Sequence, residues 1–313
     1  MRKFNRSALL ALTVFFGIGP IGMSAAFAAD PTTVDLGAAE SFAVLGATEV
    51  TNVPVSVITG DVGLSPAAGS NYAGITDAQV DGTIYAIDGS GPTGSVANPV
   101  LLTTAQGNVT DAYVDAAGRT PDDTFVSADN QLGGQTLIPG VYAFGAASTA
   151  NLTGTLTLSG NGVFIFQASS SLVTASSSVV SLSNGAQSCN VFWQVSSSAT
   201  LGSSSTFVGT VIALTSVTVN NGATVEGRVF ARNAAVTLNQ NTITRPAACA
   251  TTTSPQPTTP TTTGGSSAST AIADSAVDFE RAETLPESGL PGALPYVTVL
   301  GLAGLWYGRR LRE

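Results

Sequence analysis

Apolar and polar residues alternate through the middle of this chain, and the alternation is periodic. Val217, Val219, Ala223 and Val225 share one parity, and Thr218, Thr224 and Glu226 share the other. In a strand these parities face opposite sides, so the valines line an interior and the threonines an outer surface. Ser203, Asn221 and Asn239 recur every eighteen residues, as do Thr206, Thr224 and Thr242. Gly209 aligns with Gly227, Val211 with Val229, Ile212 with Phe230 and Ala213 with Ala231. A second column, Thr200, Thr218 and Thr237, follows the same repeat with a one-residue slip. So short a unit, β-branched and broken by Gly and Asn, predicts stacked coils of a β-solenoid. Equivalent residues of successive coils would then lie about 4.8 Å apart. A single Thr is an ordinary strand surface residue; columns of Thr in register make a repeating ladder of hydroxyl and methyl groups.

The rest of the body reads as short strands and turns. Residues 42–45, 53–58, 142–144, 152–158 and 191–195 have strand character. Residues 163–166 form a continuous apolar run, as expected of a strand buried on both sides. Trp193 is expected in the core. The Asp-Gly pairs at 81–82 and 88–89 lack the dense carboxylates of a calcium loop and read as turns. One helix is predicted over 98–118. Asn98 is its N-cap, Pro99 its first residue, and Leu101, Leu102, Ala105, Val109, Ala112 and Ala116 form one apolar stripe. That stripe needs one partner, the flank of the stacked coils.

Composition narrows the function. Only 10% of the 313 residues are charged, the net charge is −9 and there is no His. Nucleic-acid binding needs a basic patch, which the body lacks. In the body, over 29–249, the basic groups are Arg119, Arg228, Arg232 and Arg245. Arg228 and Arg232 are expected to support a turn or pair with Glu226. Catalysis on polysaccharide would need a basic catalytic residue or paired carboxylates in a cleft, so no catalytic residue, metal or cofactor is expected. Tyr72, Tyr85 and Tyr113 are too scattered to suggest a sugar-stacking groove. Cys189 and Cys249 could form one disulfide in an oxidising compartment.

The ends suggest export and anchoring. Residues 1–28 read as a signal peptide, with Arg2, Lys3 and Arg6 ahead of an apolar run and Ala26-Phe27-Ala28 at its end. A domain over 29–249 follows, then a Thr/Ser/Pro-rich linker over 250–284. Leu285-Pro286-Glu287-Ser288-Gly289, an apolar stretch at 290–307 and a basic tail complete the chain. This ending resembles the LPxTG-type sorting signal of Gram-positive cell-wall proteins. The resemblance implies cleavage between Ser288 and Gly289 and attachment to peptidoglycan; Ser288 replaces the family's usual Thr, and a plain transmembrane anchor is the alternative. Either anchor implies an extracellular, cell-surface location.

The body also resembles the secreted ice-binding protein family. The segments that carry the resemblance are Ala39-Glu40-Ser41-Phe42-Ala43-Val44-Leu45-Gly46, Ile58-Thr59-Gly60-Asp61-Val62-Gly63 and Leu137-Ile138-Pro139-Gly140-Val141-Tyr142. Gly162-Val163-Phe164-Ile165-Phe166-Gln167, Asn190-Val191-Phe192-Trp193-Gln194-Val195 and the stretch from Gly227 to Leu238 continue it. The resemblance implies a mainly β fold: a discontinuous right-handed β-solenoid of triangular cross-section with one long helix alongside. It implies that one flat face adsorbs to the surface of an ice crystal, as in antifreeze proteins. Some active members carry a loose T-A/G-x-T/N pattern there. Thr174-Ala175-Ser176-Ser177 and Asn221-Gly222-Ala223-Thr224 match it in part, and Ser203-Ser204-Ser205-Thr206 more loosely. The expected face is thus Thr174, Ser176, Ser203, Thr206, Asn221, Thr224, Asn239 and Thr242, with Thr200, Thr218 and Thr237 as the alternative face. A surface adhesin or structural module with no ice activity is the competing function.

Overall fold

The computed structural model describes residues 31–53, 55–125, 130–145 and 148–249. The expected signal peptide, linker, sorting motif with Ser288 and Gly289, and apolar span at 290–307 lie outside the described residues. Among the described residues no helix is long and apolar enough to cross a membrane.

The protein is mainly β, its strands pair in parallel, and they stack into three ladders. The first ladder runs Asp123–Phe125, Gly140–Phe144, Phe164–Ala168, Val191–Val195, the C-terminal halves of Thr206–Ala213 and Thr224–Ala231, then Phe42–Gly46, Asp61–Leu64, Ile84–Ala86 and Val96–Ala97. The second, here the broad face, runs Thr136–Leu137, Thr155–Ser159, Val179–Ser183, the N-terminal halves of those two long strands, Thr242–Thr244, Val57–Thr59 and Val80–Asp81. The third, the narrow face, runs Ala150–Leu152, Leu172–Thr174, Ala199–Leu201, Val217–Val219, Val236–Leu238, Val50–Asn52 and Tyr72–Ala73.

The stacking order is not the chain order. The last coil of the repeat carries Thr224–Ala231, Val236–Leu238 and Thr242–Thr244, and the N-terminal strands Phe42–Gly46, Val50–Asn52 and Val57–Thr59 stack directly on it. The chain returns to the opposite end of the ladders through the α-helix Pro99–Gly118. Its twenty residues span about 30 Å.

That helix covers the first ladder. Asn98 caps it, its Oδ1 accepting from the Leu101 N–H at 3.1 Å. Leu102, Ala105, Val109, Ala112 and Ala116 are buried against Phe42, Leu45, Ile165, Phe192, Ile212 and Phe230. Polar ties fix it along its length. The Gln106 amide donates to the carbonyls of Gly46 and Ser65, and the Gln167 amide donates to those of Ala116 and Arg119. Arg232 lies 4.6 Å above the Tyr113 ring.

The repeating glycines mark where one strand turns from one ladder to the next. Gly209 has φ +111°, and a Cβ on Gly227 would stand 1.9 Å from the Gly209 carbonyl oxygen. Only glycine fits that stacked bend. Between the ladders lies a continuous apolar core, with Val217, Val219, Ala223 and Val225 fully buried. Trp193 stacks on Phe166 at 4.0 Å and donates its indole N–H to the Val208 carbonyl at 2.9 Å. Cys189 and Cys249 are disulfide-bonded, across a sequence separation of 60.

Three expectations need correction. The strand expected over 152–158 is two strands on different ladders, Ala150–Leu152 and Thr155–Ser159, parted by a turn in which Gly154 has φ +82°. The strand expected over 53–58 covers only Val57–Thr59, because the Asn52 side chain accepts from the Ser56 N–H at 3.0 Å and turns the chain first. Neither arginine pairs with Glu226. Arg228 is buried, with Nε donating to the Glu40 carbonyl and Nη1 to Thr210 Oγ1; its burial lowers its pKa to about 10. Arg232 instead donates to Thr110 Oγ1 on the helix.

Candidate ice-contact faces

With the first ladder under the helix, the broad and narrow faces are the sheet surfaces left open. Their outward columns follow from register. On the broad face Thr155 pairs with Val179, Val179 with Thr206, Thr206 with Thr224, Thr224 with Thr242, and Thr242 with Val57. Thr155, Thr206, Thr224, Thr242 and Val57 are exposed and Val179 is half-buried. Each of the six is β-branched, so its χ1 is stiff and its methyl is held in one place. The hydroxyls of Thr206, Thr224 and Thr242 have no hydrogen-bond partner among the described residues and are open to water.

Beside this column runs the corner between the two open faces. Backbone bonds there step from Ser177 N to Ser203 O, Ser204 N to Asn221 O and Gly222 N to Asn239 O. They align Ser176, Ser203, Asn221 and Asn239. The Asn221 amide donates to Asn239 Oδ1 and Gln240 Oε1, which fixes part of that line.

A second outward column of the broad face is less open. Val208 is 5% exposed, and the Ser188 hydroxyl donates to Glu226 Oε1 at 2.6 Å. Ser188, Cys189, Ala247 and Ala248 line a shallow pocket beside Glu226. The disulfide-linked segments therefore border the broad face, and its open strip is the β-branched column together with the corner.

The narrow face offers one outward residue per strand. Its column is Asn151, Val173, Thr200, Thr218, Thr237, Thr51 and Ala73. Thr51 gives its hydroxyl to Glu49.

The expected site residues divide accordingly. Ser176, Ser203, Asn221 and Asn239 lie on the corner, and Thr206, Thr224 and Thr242 on the broad face, while Thr200, Thr218 and Thr237 share the narrow face. Thr174 does not belong to any surface. It is 3% exposed, and its hydroxyl accepts from the Gly202 N–H at 2.8 Å inside the corner. It shares the inward parity of Leu172, a signal already present in the sequence. Thr155, Val179, Val57 and Thr51 do not stand out in the sequence as threonine columns, because valines interrupt the first column and a change of coil order hides Thr51.

Among the described residues no group of three or more His, Cys, Asp or Glu is placed to hold a metal ion. The arrangement offers regularly spaced methyl and hydroxyl groups on stacked parallel strands.

A model of the Ice-binding-like family matches residues 44–244. This chain belongs to the Ice-binding-like family. It is 40% identical over 215 residues to an ice-binding protein of Flavobacterium frigoris (strain PS1), covering 68% of this chain and 76% of the relative. An ice-binding protein of Colwellia sp. is 39% identical over 232 residues, covering 73% of this chain and 90% of that one. The solved structure of the ice-binding protein LeIBP from an Arctic yeast superposes with a TM-score of 0.64 at 34% identity, covering 70% of this chain and 96% of the other. This member of the family thus shares its fold with proteins named for binding ice.

Proposed function

We propose that this chain binds ice through its broad face, and that it acts there without catalysis. The carrying observation is the six-rung β-branched column from Thr155 to Val57, with open hydroxyls at Thr206, Thr224 and Thr242. The ladders close as a right-handed β-solenoid of triangular section, which makes each face flat. Parallel stacking spaces the rungs by about 4.8 Å, and outward positions along one strand lie roughly 6.6 Å apart. Water over such a surface meets a fixed lattice of methyl and hydroxyl groups and can merge with a growing crystal. Since χ1 of Thr and Val is already restricted, little rotamer entropy is lost on contact. Bound molecules make the ice front curve between them, which lowers the local freezing point or slows recrystallisation. An export signal and a C-terminal anchor would place this face outside the cell, on the wall or membrane, where it would hold the cell to ice. Replacing Thr224 by Arg tests the assignment, since a charged, strongly hydrated side chain in mid-column should abolish ice shaping while the domain stays folded.

A second reading uses the narrow face, and one observation favours it. Thr200, Thr218, Thr237 and Thr51 occupy adjacent rungs without interruption. Thr218→Arg is its test.

A further inference from the structure

A cavity of about 250 Å³ opens where the N-terminal segment, the turn before Val191–Val195 and Arg228 meet, and the Cys189–Cys249 bond forms part of its wall. None of the candidate ice-contact residues lines it.

Arg228 is the unusual member of the lining. It is 3% exposed. Nε donates to the Glu40 carbonyl at 3.1 Å and Nη1 to Thr210 Oγ1 at 3.4 Å. Both acceptors are neutral. Nη2 has no hydrogen-bond partner among the described residues, and no carboxylate there forms an ion pair with the guanidinium. Arg is almost never fully buried unless it is paired, because an uncompensated buried charge is costly. A second guanidinium adds to that cost. Arg245 is near enough to Arg228 to repel its charge, and Arg245 Nε is itself buried with no partner among the described residues.

The same cavity carries the opposite charge. Glu40 is near enough to attract Arg228, yet its carboxylate is exposed and has no partner among the described residues. Asp35 also lines the cavity, one of its oxygens accepting from the Gly37 N–H at 2.8 Å. Val34 and Phe192 supply an apolar wall. A simple anion would find the guanidinium but also two carboxylates, and a simple cation would find the reverse. A molecule that bears both charges meets a partner at each end. A planar guanidinium holds a carboxylate through two parallel N–H bonds, and an ammonium suits Glu40 and Asp35.

We propose that this cavity binds a small zwitterion, a free α-amino acid, with Arg228 holding its carboxylate and Glu40 its ammonium. The site is independent of the ice assignment, since it uses neither open face.

The test is calorimetric titration of the purified full chain, in low-salt buffer near neutral pH, with L-alanine, L-valine, acetate and methylammonium in turn. Glu40→Gln and Arg228→Lys are titrated alongside, and the unfolding midpoint of each is recorded. At least one of the two amino acids should bind saturably, with a Kd of roughly 1 mM, and acetate and methylammonium about tenfold more weakly. Glu40 is exposed, so Glu40→Gln should keep the unfolding midpoint, weaken the amino acid about tenfold and leave acetate unchanged. Arg228→Lys keeps the charge but loses the fork, and should weaken the amino acid and acetate alike. If Arg228→Lys fails to fold, Glu40→Gln decides alone. No saturable heat from either amino acid would overturn the proposal. Acetate binding as tightly as the amino acid would assign the cavity to simple anions and overturn it too, as would amino-acid binding that Glu40→Gln leaves unchanged.

Discussion

Thr218 and Thr224 stand in the same coil yet leave it through different faces. Thr218 pairs with Thr200 and Thr237 on the narrow face, and Thr224 pairs with Thr206 and Thr242 on the broad one. Both side chains point away from a fully buried neighbour, Val217 in one case and Val225 in the other. A charge at either position is therefore tolerated by the core equally well, and a difference in activity reports which face meets ice. Thr224→Arg should remove crystal shaping and the melting–freezing gap, and Thr218→Arg should leave both within about twofold of the parent, since surface changes away from a contact shift free energies by only ~0.5 kcal/mol. The reverse outcome would assign contact to the narrow face.

Much of this arrangement was readable from the residues. The eighteen-residue spacing works between Ser203 and Thr242 because successive coils there differ little in length. The long strands align Thr206 to Ala213 with Thr224 to Ala231 in unbroken register. The one-residue slip of Thr237 comes from the turns: residues 232–235 link the strands of one coil where residues 214–216 link those of the coil before. The N-terminal strands are another matter. Val57 joins Thr242 across more than half the length of the chain, and local pattern carries no information about which coil stacks on which. Resemblance to a family supplied the discontinuity; residue chemistry did not. Thr174 fits the motif, but the parity it shares with Leu172 turns it into the core.

The helix should be a support whose loss is felt in stability. Leu102 is fully buried among Phe42 and Leu45. Leu102→Ala should cost about 3 kcal/mol through lost burial and the cavity left behind. Thermal unfolding should shift accordingly, and near the freezing point the variant should still shape ice because the helix lies on the covered face.

The stacked bend at Gly209 and Gly227 admits no side chain. Gly227→Ala would force its Cβ against the Gly209 carbonyl oxygen, and a loss of roughly 3 kcal/mol is expected from such overpacking. Denaturant unfolding would measure it. A neutral outcome would mean that the two coils can separate at the bend.

Reduction of the Cys189–Cys249 bond frees a loop of 60 residues. The chain-entropy model puts its contribution at about 4 kcal/mol. Because the bonded segments border the broad face beside Glu226, reduction should lower the unfolding midpoint and reduce ice activity in parallel. Unfolding curves with and without reductant check both.

Alkaline pH should destabilise the fold through its buried phenols. Burial raises the pKa of Tyr72 and of Tyr142. A raised phenol contributes stability that is intact below its ordinary pKa, 10.0, and is lost as pH rises above that, because the unfolded chain releases the proton first. Arg228, lowered to about 10, acts in the opposite sense as its proton is released in the folded state first. Two phenols against one guanidinium give a net fall. Tyr72→Phe should make that fall shallower, at a cost of about 1 kcal/mol near neutrality for the lost hydrogen bond to the Tyr85 carbonyl.

The most direct measurement is a single ice crystal grown in the purified chain, with its shape and its melting and freezing points recorded together. The account predicts a faceted crystal and a measurable gap, both lost in Thr224→Arg. A round crystal with no gap, from protein shown to be folded, would contradict the ice assignment and leave a surface module of another kind.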